Sequence, residues 1–276
     1  MKKAYKGYKA FDYLEPGKDY PVYALPKWNW AGDYRVPLSP EQEQRVLGVV
    51  RDNIFIAAHE HPVYFTQNMA EVKQYHNAGR EFCAYDALAE SYIDCVFDNM
   101  MDGTCHIVSA NGWEWTDVIH DLGMRLCDLH HQDFLIQCKT VEDIYRAKRE
   151  GKIAWVPVLE CATPIENELD RLDVLYGFGV RVMGITYSES NACGNGLKED
   201  HDGGLTKFGR QVVRRMNQLG ILIDTSHCGQ KTSADVIEAS EKPTMLTHVG
   251  ARALWNSSRL FTDPVMKACA ERGGVG

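Results

Sequence analysis

The stretch IFIAAHEHPVYF, residues 54–65, sets two histidines one residue apart at the end of an apolar run. Side chains alternate along an extended segment, so His59 and His61 fall on one side and both imidazoles can reach one ion. Three more ligand-type residues close apolar runs: Glu160 in WVPVLECATP, His227 in ILIDTSHCG and His248 in TMLTHVGAR. Taken singly, each has an ordinary explanation, a hydrogen-bonded strand-end histidine or a carboxylate beside the next turn. Ligand types at four separate strand ends favour a metal site over coincidence. Four imidazoles and a carboxylate exceed the three protein ligands of one open catalytic zinc site, so two divalent metal ions are expected, with Zn2+ the first choice. A carboxylate can bridge two ions, and zinc brings bound water to a pKa of about 7, which is the chemistry of amide hydrolysis.

Other polar features carry less. His130 and His131 in DLHHQD end a helix and are expected in solvent. NACGNG, residues 191–196, reads as a flexible loop before it reads as an anion-binding backbone. The aromatic KWNWAGDY segment reads as packing. Cys228 adjoins His227, but a thiol nucleophile is unneeded where a metal activates water.

The elements that must position these residues alternate along the chain. Strands are expected at Ile54–Ala58, Gly103–Ala110, Phe134–Cys138, Ile153–Leu159, Val180–Thr186, Ile221–Asp224 and Thr244–Thr247. Helices are expected at Glu41–Val50 behind a Ser39 cap, in part of 68–99, and at Trp113–Leu129, Val141–Glu150, Ile165–Tyr176, Lys207–Leu219, Lys231–Ser240 and Asp263–Glu271. Strands separated by helices imply parallel βαβ units, and apolar runs with few charges imply strands buried on both faces. A (β/α) barrel and a doubly wound sheet both fit. No GxGxxG follows the first strand, so a dinucleotide site has no support. In a barrel the strand-end residues above share the carboxyl-terminal face, where such folds carry their chemistry. Residues 1–50, rich in Tyr, Trp, Pro and Gly, read as an extension packed on a domain formed by residues 51–276.

Composition narrows the partners. Of 276 residues, 45% are hydrophobic and 25% charged, an ordinary globular balance, with a formal net charge of −8. That charge disfavours nucleic acid and anionic membranes as partners. No apolar run approaches the length of a membrane span, and the first residues lack the apolar core of a secretory signal, so a cytoplasmic location is expected. The nine cysteines lack a CxxC pair and read as free thiols, several of them buried.

From Glu160 onward the chain resembles the membrane (renal-type) dipeptidase family, zinc enzymes of the amidohydrolase type. The matching segments are LYGFGVRVMGITY, DGGLTKFGRQVVRRMNQLGILIDTSHCGQKTSADVI, PTMLTHVGARAL and RLFTDPVMKACAERGGVG. The resemblance implies a (β/α)8 TIM-barrel fold, here lacking the last one or two β/α units, and hydrolysis of a dipeptide amide bond by a metal-bound hydroxide. It implies that Glu160 bridges both ions, that His227 and His248 complete one ion's protein shell, and that His59 ligates the other. Arg259 would lie near the substrate carboxylate. Three departures stand out. His61 replaces the Asp of the family's His-x-Asp motif. Tyr187 stands where the family has a histidine that stabilises the oxyanion, leaving a neutral donor there. The segment bearing a further metal-ligating Asp, the general base, would follow Gly276. These departures keep two alternatives in view: an amidohydrolase acting on another small amide or lactam, and a catalytically inactive metal-binding barrel. A small molecule or dipeptide is the expected partner, and a homodimer is the one macromolecular assembly entertained.

Overall fold

The computed structural model describes residues 3–26, 36–80, 83–100 and 113–276. In chain order the elements are α1 (Pro40–Asp52), β1 (Ile56–Glu60), α2 (Val72–Ala78), α3 (Tyr85–Glu90), β2 (Cys95–Asn99), α4 (Trp115–His130), β3 (Leu135–Gln137), α5 (Val141–Glu150), β4 (Ile153–Leu159), α6 (Arg171–Phe178), β5 (Val182–Gly184), α7 (Lys207–Leu219), β6 (Leu222–Asp224), α8 (Gln230–Ala239) and α9 (Asp263–Glu271). The strands pair in the order β1-β2-β4-β5-β6, with β3 on β4. β3 pairs with β4, β4 with β5 and β5 with β6, each in parallel. This is an α/β fold of the TIM-barrel type, with six strands among the described residues against the eight of a closed barrel. No helix among the described residues is long and apolar enough to cross a membrane.

Local chemistry sets the element ends. Ser39 and Gln42 form a reciprocal capping box at the start of α1. At α5 the Asp143 carboxylate accepts from the N–H groups of Lys139 and Thr140 and from the Thr140 hydroxyl, and left-handed Gly151 ends the helix. Thr206 Oγ1 accepts from the Gly209 N–H to open α7. The β4 run IAWVPVL is buried at every position, as a central parallel strand should be.

Several expected boundaries move. β1 starts two residues later than expected and contains His59. The 68–99 stretch yields α2, α3 and the strand β2, whereas the strand expected at 103–110 lies outside the described residues. The helix expected from Ile165 begins only at Arg171, because a 3-10 turn at Thr163–Ile165 is followed by Glu166 in the left-handed region, at φ 53°. Residues 244–247 form no strand. Met245 bridges Asp224 on one side and Val275 on the other, but Pro243 has no N–H to give and the Thr247 N–H is taken by the Asp224 carboxylate.

Contacts divide the chain into two compact units. One comprises Met1–Val96, Thr104–His106 and Met124–Trp155; the other comprises Phe97–Gly103, Ile107–Gly123 and Val156–Gly276. β2, α4 and β4 each contribute to both. In the second unit α8 and α9 pack through Ile237, Leu246, Phe261, Val265 and Cys269. In the first, buried charge organises the interior. Asp128 is fully buried and accepts from the Tyr8 and Tyr85 hydroxyls and the Phe11 N–H. Asp94 lies between two ammonium groups, 3.0 Å from Lys3 Nζ and 2.8 Å from Lys148 Nζ, and accepts from the Phe55 N–H. Burial pushes the Asp94 carboxyl upward, but the hydrogen bonds from Lys148, Phe55 and Lys3 outweigh it and hold the pKa below the ordinary value. Burial lowers the Lys3 pKa against the pull of Asp94.

Because the folded pKa of Asp94 is depressed, its stabilising contribution is present above the ordinary carboxylate value and is lost as pH falls through the folded value. Asp94→Asn should therefore cost about 3–5 kcal/mol in urea unfolding at neutral pH, by leaving two buried ammonium groups unmatched. The gap from the wild-type chain should close as pH drops below about 4. A gap independent of pH would show that the carboxylate's charge is not what stabilises this unit.

Candidate metal centre

Strand register brings the polar ends of the second unit into one row. Val158 pairs with Val182 and Leu159 with Met183, so Glu160 falls beside Gly184, which in turn pairs with Asp224. The approach at Gly184 is close: a Cβ there would sit 2.0 Å from the Glu160 carbonyl oxygen, so only glycine fits. Glu160 thus leaves β4 with its side chain 3% exposed.

Two imidazoles converge on that carboxylate. His227 Nε2 lies 3.1 Å from Glu160 Oε1 and His248 Nε2 lies 3.2 Å from the same oxygen. The ligand atoms of the three residues all lie within 4.8 Å of one another. A tetrahedral zinc with bonds of about 2.0–2.1 Å spaces its ligand atoms about 3.3–3.5 Å apart, so this donor set fits a divalent ion. Burial lowers the His227 pKa; Glu160 raises it, while Arg259 and His248 add to the lowering. The net shift keeps its imidazole neutral, the form that ligates.

Arg259 ties the two histidine loops together. Its guanidinium donates to the Ser226 carbonyl at 2.7 Å and the His248 carbonyl at 2.9 Å, and lies 3.3 Å from His227 Nε2. Tyr187 stacks flat on His227, with centroids 4.1 Å apart and planes 13° apart, and Trp113 lies 5.9 Å beyond it. In the first unit His59 and His61 meet as the alternation of an extended segment requires, with their Nε2 atoms 3.1 Å apart. That spacing also suits ligands of a single ion.

The weaker features resolve plainly. His130 and His131 are exposed, and His131 stacks on Tyr13. Cys228 is buried, and burial pushes its thiol up to about 12, so it is no nucleophile at neutral pH. The NACGNG loop is pinned rather than flexible: Asn191 Nδ2 donates to the Ile185 carbonyl, Asn195 N–H to Thr232 Oγ1, and Asn195 Oδ1 accepts from the Gly203 N–H. Three polar residues at the site were not singled out from sequence: Asp224, Ser226 and Thr247. Two of them stand beside His227 in IDTSH, but their role depends on a pairing with Met245 that spacing alone does not reveal.

Residues 44–276 match the membrane dipeptidase family (peptidase family M19), and the chain belongs to that family. The "Uncharacterized protein in PQQ-III 3'region" of Acinetobacter calcoaceticus is 28% identical over 198 residues, which is 69% of this chain and 61% of that protein. The crystal structure of an amidohydrolase from Pseudomonas aeruginosa is similar with a TM-score of 0.66 and 25% identity, over 87% of this chain and 64% of the other. A metallo peptidase from Rhodobacter sphaeroides, solved with a phosphinate mimic of the dipeptide L-Ala-D-Ala, has a TM-score of 0.65 at 21% identity, over 81% of this chain and 73% of the other. At that identity the last likeness is one of fold. The chain thus spans just over three fifths of the length of the first two relatives.

The contact at Gly184 generates a prediction. Gly184→Ala should displace the Glu160 backbone and weaken zinc binding about tenfold or more in competition with a chromophoric chelator. Gly177→Ala, whose new Cβ would meet nothing within 4 Å, serves as the control and should bind as the wild type does. Equal affinities in the two variants would separate zinc binding from the position of Glu160.

Proposed function

We propose that the protein is a metal-dependent hydrolase that cleaves the amide bond of a dipeptide, with Glu160, His227 and His248 holding one divalent ion. The convergence of two imidazole nitrogens on one oxygen of a buried carboxylate carries this reading. Family membership and the dipeptide mimic in the Rhodobacter sphaeroides structure support it. His59 and His61 contribute ligands to a second ion, and zinc is the metal of first choice for both. A divalent ion in such a site polarises the scissile carbonyl and lowers the pKa of water to about 7.

The chain's own residues do the rest. Arg259 has five N–H donors and commits only part of them to the Ser226 and His248 carbonyls, so its remaining edge can pair with the substrate carboxylate. Tyr187 donates its hydroxyl proton to the developing oxyanion, with its ring held in place by stacking on His227. Glu160, as a buried carboxylate, balances the charge of the bound ion.

A second reading rests on Tyr187. A neutral phenol in place of a cationic donor suits a substrate other than an ordinary dipeptide, such as an N-acyl amino acid or a lactam. A substrate panel separates the two: turnover of such amides with dipeptides inert favours this second reading.

The zinc-loaded protein should contain about two ions per chain and release amino acids from dipeptides, with chelation abolishing and zinc restoring turnover. Glu160→Gln should lose both metal and activity. Tyr187→Phe should retain metal and lower kcat by about a hundredfold, the usual cost of one oxyanion donor. A fully metallated protein that leaves a broad dipeptide panel untouched rules out the dipeptidase reading.

A further inference from the structure

Beyond the three converging ligand groups, the second unit holds a closed hydrogen-bond relay behind His248. Asp224 ends β6 and is almost fully buried. Its Oδ1 accepts from the Ser226 N–H at 3.1 Å, the Ser226 hydroxyl at 2.6 Å and the Thr247 N–H at 3.1 Å. Its Oδ2 accepts from the Thr247 hydroxyl at 2.6 Å. The Thr247 oxygen then lies 2.8 Å from His248 Nδ1, while the Ser226 oxygen accepts from the His248 N–H at 3.2 Å.

We infer that Asp224 is a positioning residue that acts through the Thr247 hydroxyl to fix the tautomer and aim of His248. A threonine hydroxyl has one proton. With that proton given to the Asp224 carboxylate, the oxygen offers His248 only lone pairs, so the hydrogen of the neutral imidazole must reside on Nδ1. Nε2 is then an acceptor, and it faces Glu160 Oε1 at 3.2 Å. Two acceptors facing each other at that distance repel until a cation lies between them. The relay therefore holds His248 ready for metal before any metal arrives. Metal-ligating histidines depend on such partners for tautomer and orientation. This inference rests on the triad being a metal site, but not on the identity of the substrate.

The relay also predicts the effect of a single atom exchange. In Asp224→Asn, three donors converge where Oδ1 stands, so the amide oxygen keeps that place and the amide nitrogen takes the place of Oδ2. Thr247 Oγ1 then accepts from the amide, and its released proton, with the Ser226 oxygen at 3.1 Å as the longer alternative, goes to His248 Nδ1 at 2.8 Å, which moves the imidazole hydrogen to Nε2. Long-range proton–nitrogen NMR spectra of the metal-free full chain, with His248→Gln used to assign the signal, read the tautomer directly. Zinc affinity is measured on the same samples by chelator competition, and circular dichroism reports folding. The wild-type chain should show hydrogen on Nδ1, and Asp224→Asn should show it on Nε2 with zinc binding weakened about 10- to 100-fold. Thr247→Val should weaken zinc similarly, and Thr247→Ser, which restores the hydroxyl, should recover the wild-type tautomer and affinity. These threonine variants decide the matter should Asp224→Asn not fold. An Nε2–H tautomer in the wild-type chain overturns the inference. So do folded variants, Thr247→Val among them, whose zinc affinity stays within about twofold of the wild type. A chain that passes these tests and cleaves no dipeptide would overturn the proposed activity and leave the relay standing.

Discussion

The second unit is arranged around one electrostatic constraint, a carboxylate withdrawn from water at the end of a central strand. Burying a charge is unfavourable unless opposite charge or hydrogen bonds compensate. For Glu160 the longer-range attraction of the Arg259 guanidinium, whose pKa burial lowers and Glu160 and Asp224 pull back up, offsets part of that cost, and the imidazole nitrogens 3.1 and 3.2 Å from its Oε1 make the spot one that favours a cation. The carboxylate's position is fixed by backbone, not by side-chain packing: the β4–β5 register and the bare Cα of Gly184 decide where it sits. The histidines come from loops after β6 and after Met245, so short segments of pairing translate directly into the geometry of the triad.

Much of this arrangement was legible in the sequence, for identifiable reasons. α7 and α9 were bounded correctly because Thr206 and Gly220 bracket the one, and Asp263-Pro264 and the Gly273-Gly274 pair bracket the other; such signals act locally. β4 was legible because an uninterrupted apolar run is what a strand covered on both faces requires. His59, His61, Glu160, His227 and His248 were legible as ligand types at run ends. Residues 244–247 fall short of a strand because backbone pairing stops after Met245 and Leu246: the Thr247 N–H goes to the Asp224 carboxylate, a competition between side chain and backbone that a propensity argument does not contain. Asp224 and Thr247 were passed over for a related reason. They are far apart along the chain, and their pairing exists only once β6 and Met245 are in register.

The two units use buried charge differently. Asp94 and Asp128 in the first unit are saturated by lysine ammonium groups, phenols and backbone N–H groups, and their role is to hold elements together. Asp224 in the second unit is equally saturated, but its hydroxyl donors pass the constraint on to an imidazole. The difference lies in what the donors touch next. A tyrosine hydroxyl ends the chain of contacts, whereas a threonine hydroxyl with one proton converts a carboxylate's charge into a direction for its neighbour.

Arg259 has a consequence of its own. The guanidinium that the functional reading assigns to the substrate also staples the backbone before His227 to the backbone at His248. On the proposed reading, substrate preference and metal retention are therefore not separate properties. A lineage that altered this side chain to accept a different substrate would loosen the ligands in the same step. Diversification of the site is thus channelled toward positions such as Tyr187, whose ring stacks on His227.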